Sequence, residues 1–321
     1  MKIIQHIVNR WLIRESSLPK VESLAENNEV ITTVVSNIGL ISFSIILIVL
    51  EIASMWDRFI SRTDFYPVPF LFWSKYLAYP QFLELITACI LLFALIGAML
   101  YRSRLGHLCS FLALALYQSM ILSFGGSVHQ TYPFLYATFL FLFLPDLSHT
   151  SLSNTENRKK TILLFIGAQA FLLLFYTMSG VEKIIEAVFQ TMRGEISILH
   201  PTGMSMLLSD WSIFTLKEPM FIHYILNFPL IGWLGMIAVV YLETFAITIL
   251  FKPELQKIWG ACLLLFHVST IYSMNVAFFP FLLLINALLL SSPFTLSSKS
   301  NKLLLTRLPL IGKIFRLLHI L

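Results

Sequence analysis

Three charged side chains follow a long uncharged run in the segment FYTMSGVEKIIEAVF, residues 175–189. No charge occurs from Thr161 until Glu182, Lys183 and Glu186 appear in quick succession. On a helix, residues four apart share a face and residues three apart can pair, so Lys183 can pair with Glu186. The charges are explained either as the end of a membrane span or as a functional site that contains Lys183.

Two further ionisable residues lie inside apolar runs. Glu243 interrupts LIGWLGMIAVVYLETFAITILF, and His267 occupies a similar place in the next run. An ionised residue at the centre of a membrane helix costs about 2.5 to 3.5 kcal/mol on insertion scales, so such residues are functional hypotheses by default. A proton relay, or a polar pocket for a headgroup or quinone, would use them; alternatively, they only hold neighbouring helices together. Lys183, Glu243 and His267 are the predicted catalytic residues.

Residues 182–229 form the largest predicted extracytoplasmic segment and the region richest in polar side chains. Four of its residues are predicted to bind substrate: Glu182, Glu186, His200 and Asp210. The segment is also rich in Met, Trp and Phe, so we expect part of it to lie at the membrane interface or to pack over the helices. His200 and His223 lack the HExxH spacing, and no metal site is predicted.

The elements that must position these residues are membrane helices. Hydrophobic residues make up 57% of the 321 and charged residues only 12%, whereas a soluble domain carries about a quarter charged residues. Windows of about 20 apolar residues, enough to cross a hydrocarbon core about 30 Å thick, recur along the chain. The sequence predicts an all-α, polytopic helical membrane protein with about eight transmembrane or partly inserted helices. The predicted spans are residues 34–55, 82–100, 105–124, 133–145, 161–181, 230–251, 258–275 and 277–291.

The distribution of basic residues predicts the orientation of these spans. With the N-terminus in the cytoplasm, the cytoplasmic segments hold most of the 22 Lys and Arg residues, as the positive-inside rule requires. We expect a multi-pass protein of the cell membrane with both termini cytoplasmic. The net charge of +5 then reflects topology, and no nucleic-acid partner is expected.

Three segments are predicted along the chain. Residues 1–33 form a cytoplasmic N-terminal interfacial segment, and residues 34–294 form the transmembrane domain with its extracytoplasmic loop 182–229. Residues 295–321 form a basic amphipathic tail, whose Lys and Arg residues alternate with Ile, Leu and Phe. That composition is typical of a helix lying in the headgroup plane of the lipid bilayer.

Sequence motifs for common enzyme classes are missing from the chain. No GxSxG, HExxH or Walker-type glycine loop occurs, so no known hydrolase or ATPase chemistry is indicated. The three cysteines fall inside apolar runs, where neither a disulfide framework nor a CxxC motif can form. The sequence leaves open whether the protein is an enzyme, and it does not identify a cofactor.

Three patches share the pattern of a known membrane module. They are FHVSTIYSMNVAFFPF from Phe266, YTMSGVEKI from Tyr176, and YLETFAITILF from Tyr241. Together they resemble the membrane module of the vitamin K-dependent gamma-glutamyl carboxylases and their bacterial HTTM-domain relatives. On this match Lys183 falls on the lysine associated with deprotonating vitamin K hydroquinone, while Glu182 stands where that family often has a second Lys.

Within this group the length, the bare HTTM-like module and the basic tail most resemble the SdpB family. The resemblance implies a factor that matures a secreted antimicrobial peptide toxin from an SdpC-like precursor, alongside a small SdpA-like partner protein. One alternative is a quinone-coupled membrane enzyme of the carboxylase type with Lys183 as base. The carboxylates of Glu182 and Glu186 would instead favour a protonated, ion-paired Lys183.

A second alternative is a peptide exporter or an immunity protein. Eight spans with buried Glu243 and His267 would suit a proton-coupled exporter. Matching halves with Gly- or Pro-broken helices are the sequence sign of many such transporters, and no such pair is found here.

Overall fold

The computed structural model describes residues 20–61, 65–68, 71–124, 129–276, 278–294 and 307–312. Regular structure within these ranges is entirely helical, with no strand. The α-helices are α1 Val21–Glu26, α2 Asn28–Ser61, α3 Pro80–Met99, α4 Arg104–Ser123, α5 Tyr132–Phe141, α6 Thr155–Met192, α7 Gly203–Thr215, α8 Ile222–Asn227, α9 Pro229–Thr244, α10 Gln256–Met274 and α11 Phe279–Ile285. The predicted all-α class is confirmed.

Five helical segments are long and apolar enough to cross a membrane: Asn28–Ala53 of α2, α3, α4, α6, and Pro253–Met274, which contains α10. Three shorter apolar helices complete the set: α5, α9, and Phe279–Leu290, which joins α11 to a π-helical turn. Each of these segments overlaps one predicted span, and the two shortest predicted spans overlap α5 and Phe279–Leu290. The chain is therefore a polytopic helical protein that spans a membrane.

Helix α3 shows how lipid acts as the solvent of this protein. Only 22% of its most apolar window is buried inside the protein. Its outward side chains are large and apolar, among them Leu85, Leu92 and Leu95, each about half exposed. Such a surface would be costly in water, whereas hydrocarbon solvates it at no cost.

Helix α6 extends beyond the predicted end of its span. It runs for 38 residues, Thr155–Met192, which is roughly 57 Å at the rise of an α-helix. The predicted span ends at residue 181, yet the helix continues for three further turns. It ends where Gly194 adopts a φ of 73°, a left-handed conformation that glycine tolerates and that commonly closes helices. Glu182, Lys183 and Glu186 consequently lie within a continuous helix rather than at its end.

The described residues divide into two compact units. Unit A comprises residues 20–61, 65–68, 71–124, 129–171 and 279–293, and unit B comprises residues 172–276, 278, 294 and 307–312. The chain passes from unit A to unit B inside α6, between Phe171 and Leu172.

Unit A packs helices α2 to α5, the first part of α6, and α11. Ile38, Ile41 and Ile45 of α2 are completely buried, at the spacing of one helix face. Two buried amides bond the carbonyls near the π turn: Asn37 Nδ2 donates to Ser291 O at 2.9 Å, and Gln169 Nε2 donates to Leu288 O at 2.6 Å. These bonds satisfy carbonyls that an irregular turn would otherwise leave unpaired in an apolar interior.

Unit B carries the segment predicted as an extracytoplasmic loop. Residues beyond Met192 fold into α7 and α8, which pack with α9 and α10. Two indole N–H groups anchor them, because Trp211 Nε1 donates to Met274 O at 2.6 Å and Trp233 Nε1 donates to Leu199 O at 2.8 Å. Trp211 therefore packs within unit B, whereas Phe214, Tyr224 and Phe228 of the same segment are exposed.

The two predicted interfacial segments fall largely outside the described residues. Of residues 1–33, residues 20–33 are described, as α1 and the start of α2; of the tail 295–321, only residues 307–312 are described. This short piece is bound within unit B: Tyr241 Oη donates to Pro309 O at 2.6 Å, Lys252 Nζ donates to Arg307 O at 2.9 Å, and Arg307 forms an ion pair with Glu254.

Candidate functional site

One face of α6 in unit B carries the polar residues of the site. Tyr176, Ser179 and Lys183 follow one another at intervals of three and four, so their side chains lie in one row along the helix. Lys183 Nζ donates to Ser179 Oγ at 2.8 Å. The hydroxyl therefore holds the lysine side chain back along α6, towards the helix N-terminus.

Glu243 of α9 completes an ion pair with this lysine. The Lys183 Nζ to Glu243 Oε2 distance is 2.7 Å, and the side chains are 29% and 4% exposed, respectively. The Ser179 hydroxyl also interacts with the Glu243 carboxylate. A carboxylate this deeply buried needs a countercharge, because the free energy of removing it from water is otherwise not recovered. The lone Glu of the apolar α9 run thus has its partner on α6.

Gly180 lets α9 come close enough for this pair to form. A Cβ at Gly180 would overlap the backbone nitrogen of Thr244 and would lie 2.7 Å from Thr244 Oγ1 and 2.9 Å from the Glu243 carbonyl carbon. The contact lies where α9 ends, and one turn earlier on α6 the Thr177 Oγ1 accepts a hydrogen bond from Ile247 N at 2.9 Å. Close backbone approach at glycine is a familiar way of packing membrane helices.

His267 of α10 joins the site through Tyr176. The Tyr176 Oη to His267 Nε2 distance is 2.5 Å, and both residues are buried. The ring of Phe278 lies 5.2 Å from the imidazole, centroid to centroid. Charge links the two pairs as well, because Glu243 acts electrostatically on Tyr176 and Lys183 acts on His267.

We call these five residues the charged cluster: Tyr176, Ser179, Lys183, Glu243 and His267. The three residues predicted as catalytic from the sequence are thus brought together in unit B. Tyr176 and Ser179 are members that sequence reasoning did not select as site residues. Helical spacing would have found them, since they precede Lys183 by seven and four positions on the same face.

The four predicted substrate-binding residues lie elsewhere in unit B. Glu186, expected to pair with Lys183, instead forms an ion pair with Arg193 at 3.1 Å. Arg193 also pairs with Glu195 at 2.9 Å, and these carboxylates raise the pKa of its guanidinium. His200 bonds its near neighbour Thr202, with 2.9 Å between Nδ1 and Oγ1. Glu182, Glu186, His200 and Asp210 are all exposed, and none of them contributes to the charged cluster.

His200 lies at the edge of a separate cavity in unit B. The cavity has a volume of about 550 Å³, and its walls are the C-terminal part of α6 and the segment that follows it. Ile184, Val188 and Met192 supply much of its lining, so it is chiefly apolar. Within the described ranges, no three His, Cys, Asp or Glu side chains are grouped as metal ligands would be.

The charged cluster combines two acid–base pairs within hydrogen-bond reach. Donor–acceptor distances of about 2.6 to 3.2 Å are those over which side chains exchange protons with a substrate. Lys183 and Ser179 are the partly exposed members, whereas Glu243, Tyr176 and His267 are buried. A reacting group would therefore meet these two members first, and the buried members would set the charge of Lys183 and receive or supply a proton.

Comparison of the chain with protein-family models, with curated proteins and with solved structures finds no match.

Proposed function

We propose that this protein is an integral membrane factor that matures a secreted antimicrobial peptide, and that it is a member of the SdpB family within the HTTM group. The observation that carries the proposal is the charged cluster of unit B. It contains the tyrosine, one serine and the lysine of the YTMSGVEKI patch, the glutamate of YLETF, and the histidine of the FH patch. Each patch that carries the resemblance therefore contributes a side chain to one site.

In this proposal the substrate is an SdpC-like precursor, and an SdpA-like protein is the partner. Precursor reaching the accessible Lys183 would meet a protonated amine already held by Ser179 and Glu243. Such an amine can hydrogen-bond a peptide carbonyl, and the carboxylate behind it keeps the pair neutral overall. The apolar cavity beside α6 suits hydrophobic side chains of the same peptide.

Gene deletion tests this function directly. In a producing strain, deletion of the gene is expected to remove mature peptide from the medium, while the precursor persists outside the cell. Mass spectrometry of medium and cells measures both species. A plasmid copy of the gene should restore mature peptide to the medium. Normal mature peptide in the deletion strain would contradict the proposal. Full-length precursor retained inside the cell, in place of precursor outside it, would identify an exporter instead.

The second candidate is a quinone-coupled enzyme of the carboxylase type, with Lys183 as base. The Tyr176–His267 pair favours it, since a buried phenol and imidazole could bind a quinone oxygen and pass on its proton. The Lys183–Glu243 ion pair disfavours it, because a carboxylate at 2.7 Å stabilises the protonated amine. Unchanged quinone-dependent activity in a Lys183→Ala variant would exclude Lys183 as the base.

We also propose that the protein lies in the cell membrane with both termini in the cytoplasm. The basis is the excess of Lys and Arg in alternate connecting segments. Alkaline phosphatase, which is active only outside the cytoplasm, should be inactive when fused after residue 154 and active when fused after residue 217. Activity at the first position would reverse the proposed orientation.

A further inference from the structure

Unit A contains a polar cavity that is unrelated to the charged cluster. Its volume is about 520 Å³, within the usual range for small-ligand sites. It opens at one end of the helices, where α2 begins, the α3–α4 turn lies, and α6 begins. The lining residues are Asn28, Ile31, Thr32, Val35, Ser36, Tyr101, Arg102, Leu147, His149, Leu152 and Arg158.

The lining is basic and rich in hydrogen-bond donors. Arg102, Arg158 and His149 supply the nitrogen groups, neutral hydroxyls and an amide come from α2 and Tyr101, and no carboxylate is among the lining residues. Neither arginine forms an ion pair with a carboxylate of the described residues, although α6 begins with a Glu156–Lys159 pair beside them. A cavity with positive charge and no internal countercharge favours an anion.

Arg102 is held in place and keeps donors available. Its Nε donates to Tyr101 Oη at 3.1 Å, and its guanidinium lies over the Tyr101 ring, 5.5 Å from the centroid. Arg102 O accepts a hydrogen bond from Leu147 N at 2.8 Å, which ties the α3–α4 turn to the segment before α6. The two terminal nitrogens of Arg102 have no hydrogen-bond partner among the described residues.

Arg158 also lines the cavity, and two hydrogen bonds hold its guanidinium in place. Its Nε donates to Leu152 O at 2.5 Å, and Nη1 donates to Ala25 O at 3.3 Å. The side chain therefore joins α1 to the start of α6 and is only partly exposed. Its Nη2 group makes no hydrogen bond with the described residues, and guanidinium N–H donors suit the oxygens of a phosphate.

We propose that this cavity binds a phosphate group between Arg102 and Arg158, either on an anionic phospholipid headgroup or as free phosphate. The cavity lies level with the ends of the membrane-spanning helices α3, α4 and α6, where headgroup phosphates are found. Basic pockets at that depth are typical lipid-headgroup sites. This inference does not depend on peptide maturation.

The test uses the purified full-length chain in neutral detergent at about 150 mM salt, so that diffuse attraction is screened. Thermal unfolding is followed during titration with phosphatidylglycerol, with phosphatidylcholine as the neutral-headgroup comparison, and separately with inorganic phosphate. Saturable stabilisation by phosphatidylglycerol alone identifies a lipid headgroup, and saturable stabilisation by inorganic phosphate identifies the free anion. No saturable response to either would overturn the proposal.

Charge-matched variants decide whether the cavity is responsible. Arg102→Gln should raise the half-saturating concentration about ten-fold or more, the effect of losing a hydrogen bond to a charged group. Arg104→Gln removes the same charge two residues away, where the side chain does not line the cavity. This variant should change the half-saturating concentration less than two-fold. Equal losses in both variants would overturn the proposal, since they would indicate general surface charge. Arg158→Gln provides a second lining variant if Arg102→Gln does not fold.

Discussion

Replacing Lys183 with methionine is expected to lower the free energy of unfolding by about 3 kcal/mol or more, the usual result of removing one partner of a buried ion pair. The cause is Glu243, whose side chain is 4% exposed and would lose its countercharge. Mature peptide should also disappear from the medium of a strain carrying this variant. Denaturant unfolding in mixed micelles and mass spectrometry of the medium measure the two effects.

Replacing the other partner of the ion pair, Glu243, should cost less stability. In Glu243→Gln the unpaired group is Lys183, which is 29% exposed and can extend its flexible chain towards water or headgroups. The double variant Lys183→Met/Glu243→Gln should recover most of the lost stability, because no buried charge remains, yet it should still produce no mature peptide. Recovery of peptide maturation in the double variant would show that the ion pair is only structural.

A surface lysine of the same unit provides the matched control. Lys217 is exposed and forms no part of the charged cluster, so Lys217→Met should leave both the unfolding free energy and peptide maturation unchanged. If Lys217→Met is as harmful as Lys183→Met, the effect comes from net charge or membrane insertion rather than from the ion pair.

The Gly180→Ala substitution is expected to destabilise unit B by about 1 to 3 kcal/mol, the usual cost of overpacking. The added Cβ would lie 2.7 Å from Thr244 Oγ1 and 2.9 Å from the Glu243 carbonyl carbon. These neighbours belong to the end of α9, so relief of the clash shifts the backbone that positions Glu243 for Lys183. Reduced peptide maturation should accompany the lower unfolding free energy.

Gly235 of α9 gives an internal comparison for this substitution. A Cβ at Gly235 would meet nothing within 4 Å, so Gly235→Ala should be neutral or should stabilise the helix by up to about 1 kcal/mol. The two glycine variants change composition identically, but only Gly180→Ala should lower thermal stability. Similar behaviour of both variants would mean that the close approach at Gly180 does not hold α6 and α9 together.

Together these variants separate the roles of the cluster members. The Lys183 and Glu243 variants test the role of the ion pair. The Gly180 variant tests the close helix approach that brings the two charges together. If only stability changes in all of them, the cluster holds the helices together, as buried polar residues often do in membranes. If maturation is lost where stability is kept, as expected for the double variant, the cluster acts on the substrate.

The helical membrane fold was predictable because its main determinants are local. A run of about 20 apolar residues determines a span by its length alone, since lipid requires every backbone group to be bonded within the helix. The predicted spans consequently correspond to α2, α3, α4, α5, α6, α9, α10 and the Phe279–Leu290 segment. Helices α2 and α6 extend beyond their predicted spans, because charges mark where hydrocarbon ends and not where a helix must end.

The charged cluster was only partly predictable. The rarity of ionisable residues in apolar runs selected Glu243 and His267, since burying each of them costs free energy. Lys183 was selected by the resemblance of the YTMSGVEKI patch to the membrane module. The sequence also brought Tyr176 and Ser179 onto the face of Lys183 by helical spacing. Pairing across 60 residues, between Lys183 and Glu243, is not encoded in any local pattern.

By itself, the sequence determined the helical class, the positions of the spans and the few charges that the membrane must accommodate, because each depends on free energies of transfer that act residue by residue. Only the tertiary structure decided which charges meet. Glu186, the near neighbour, was the pairing expected from helical spacing, but it lies on the exposed side of α6 with Arg193. Close approach of α9 at Gly180 gives Lys183 a buried carboxylate instead, and a buried charge requires that partner far more strongly than an exposed one does.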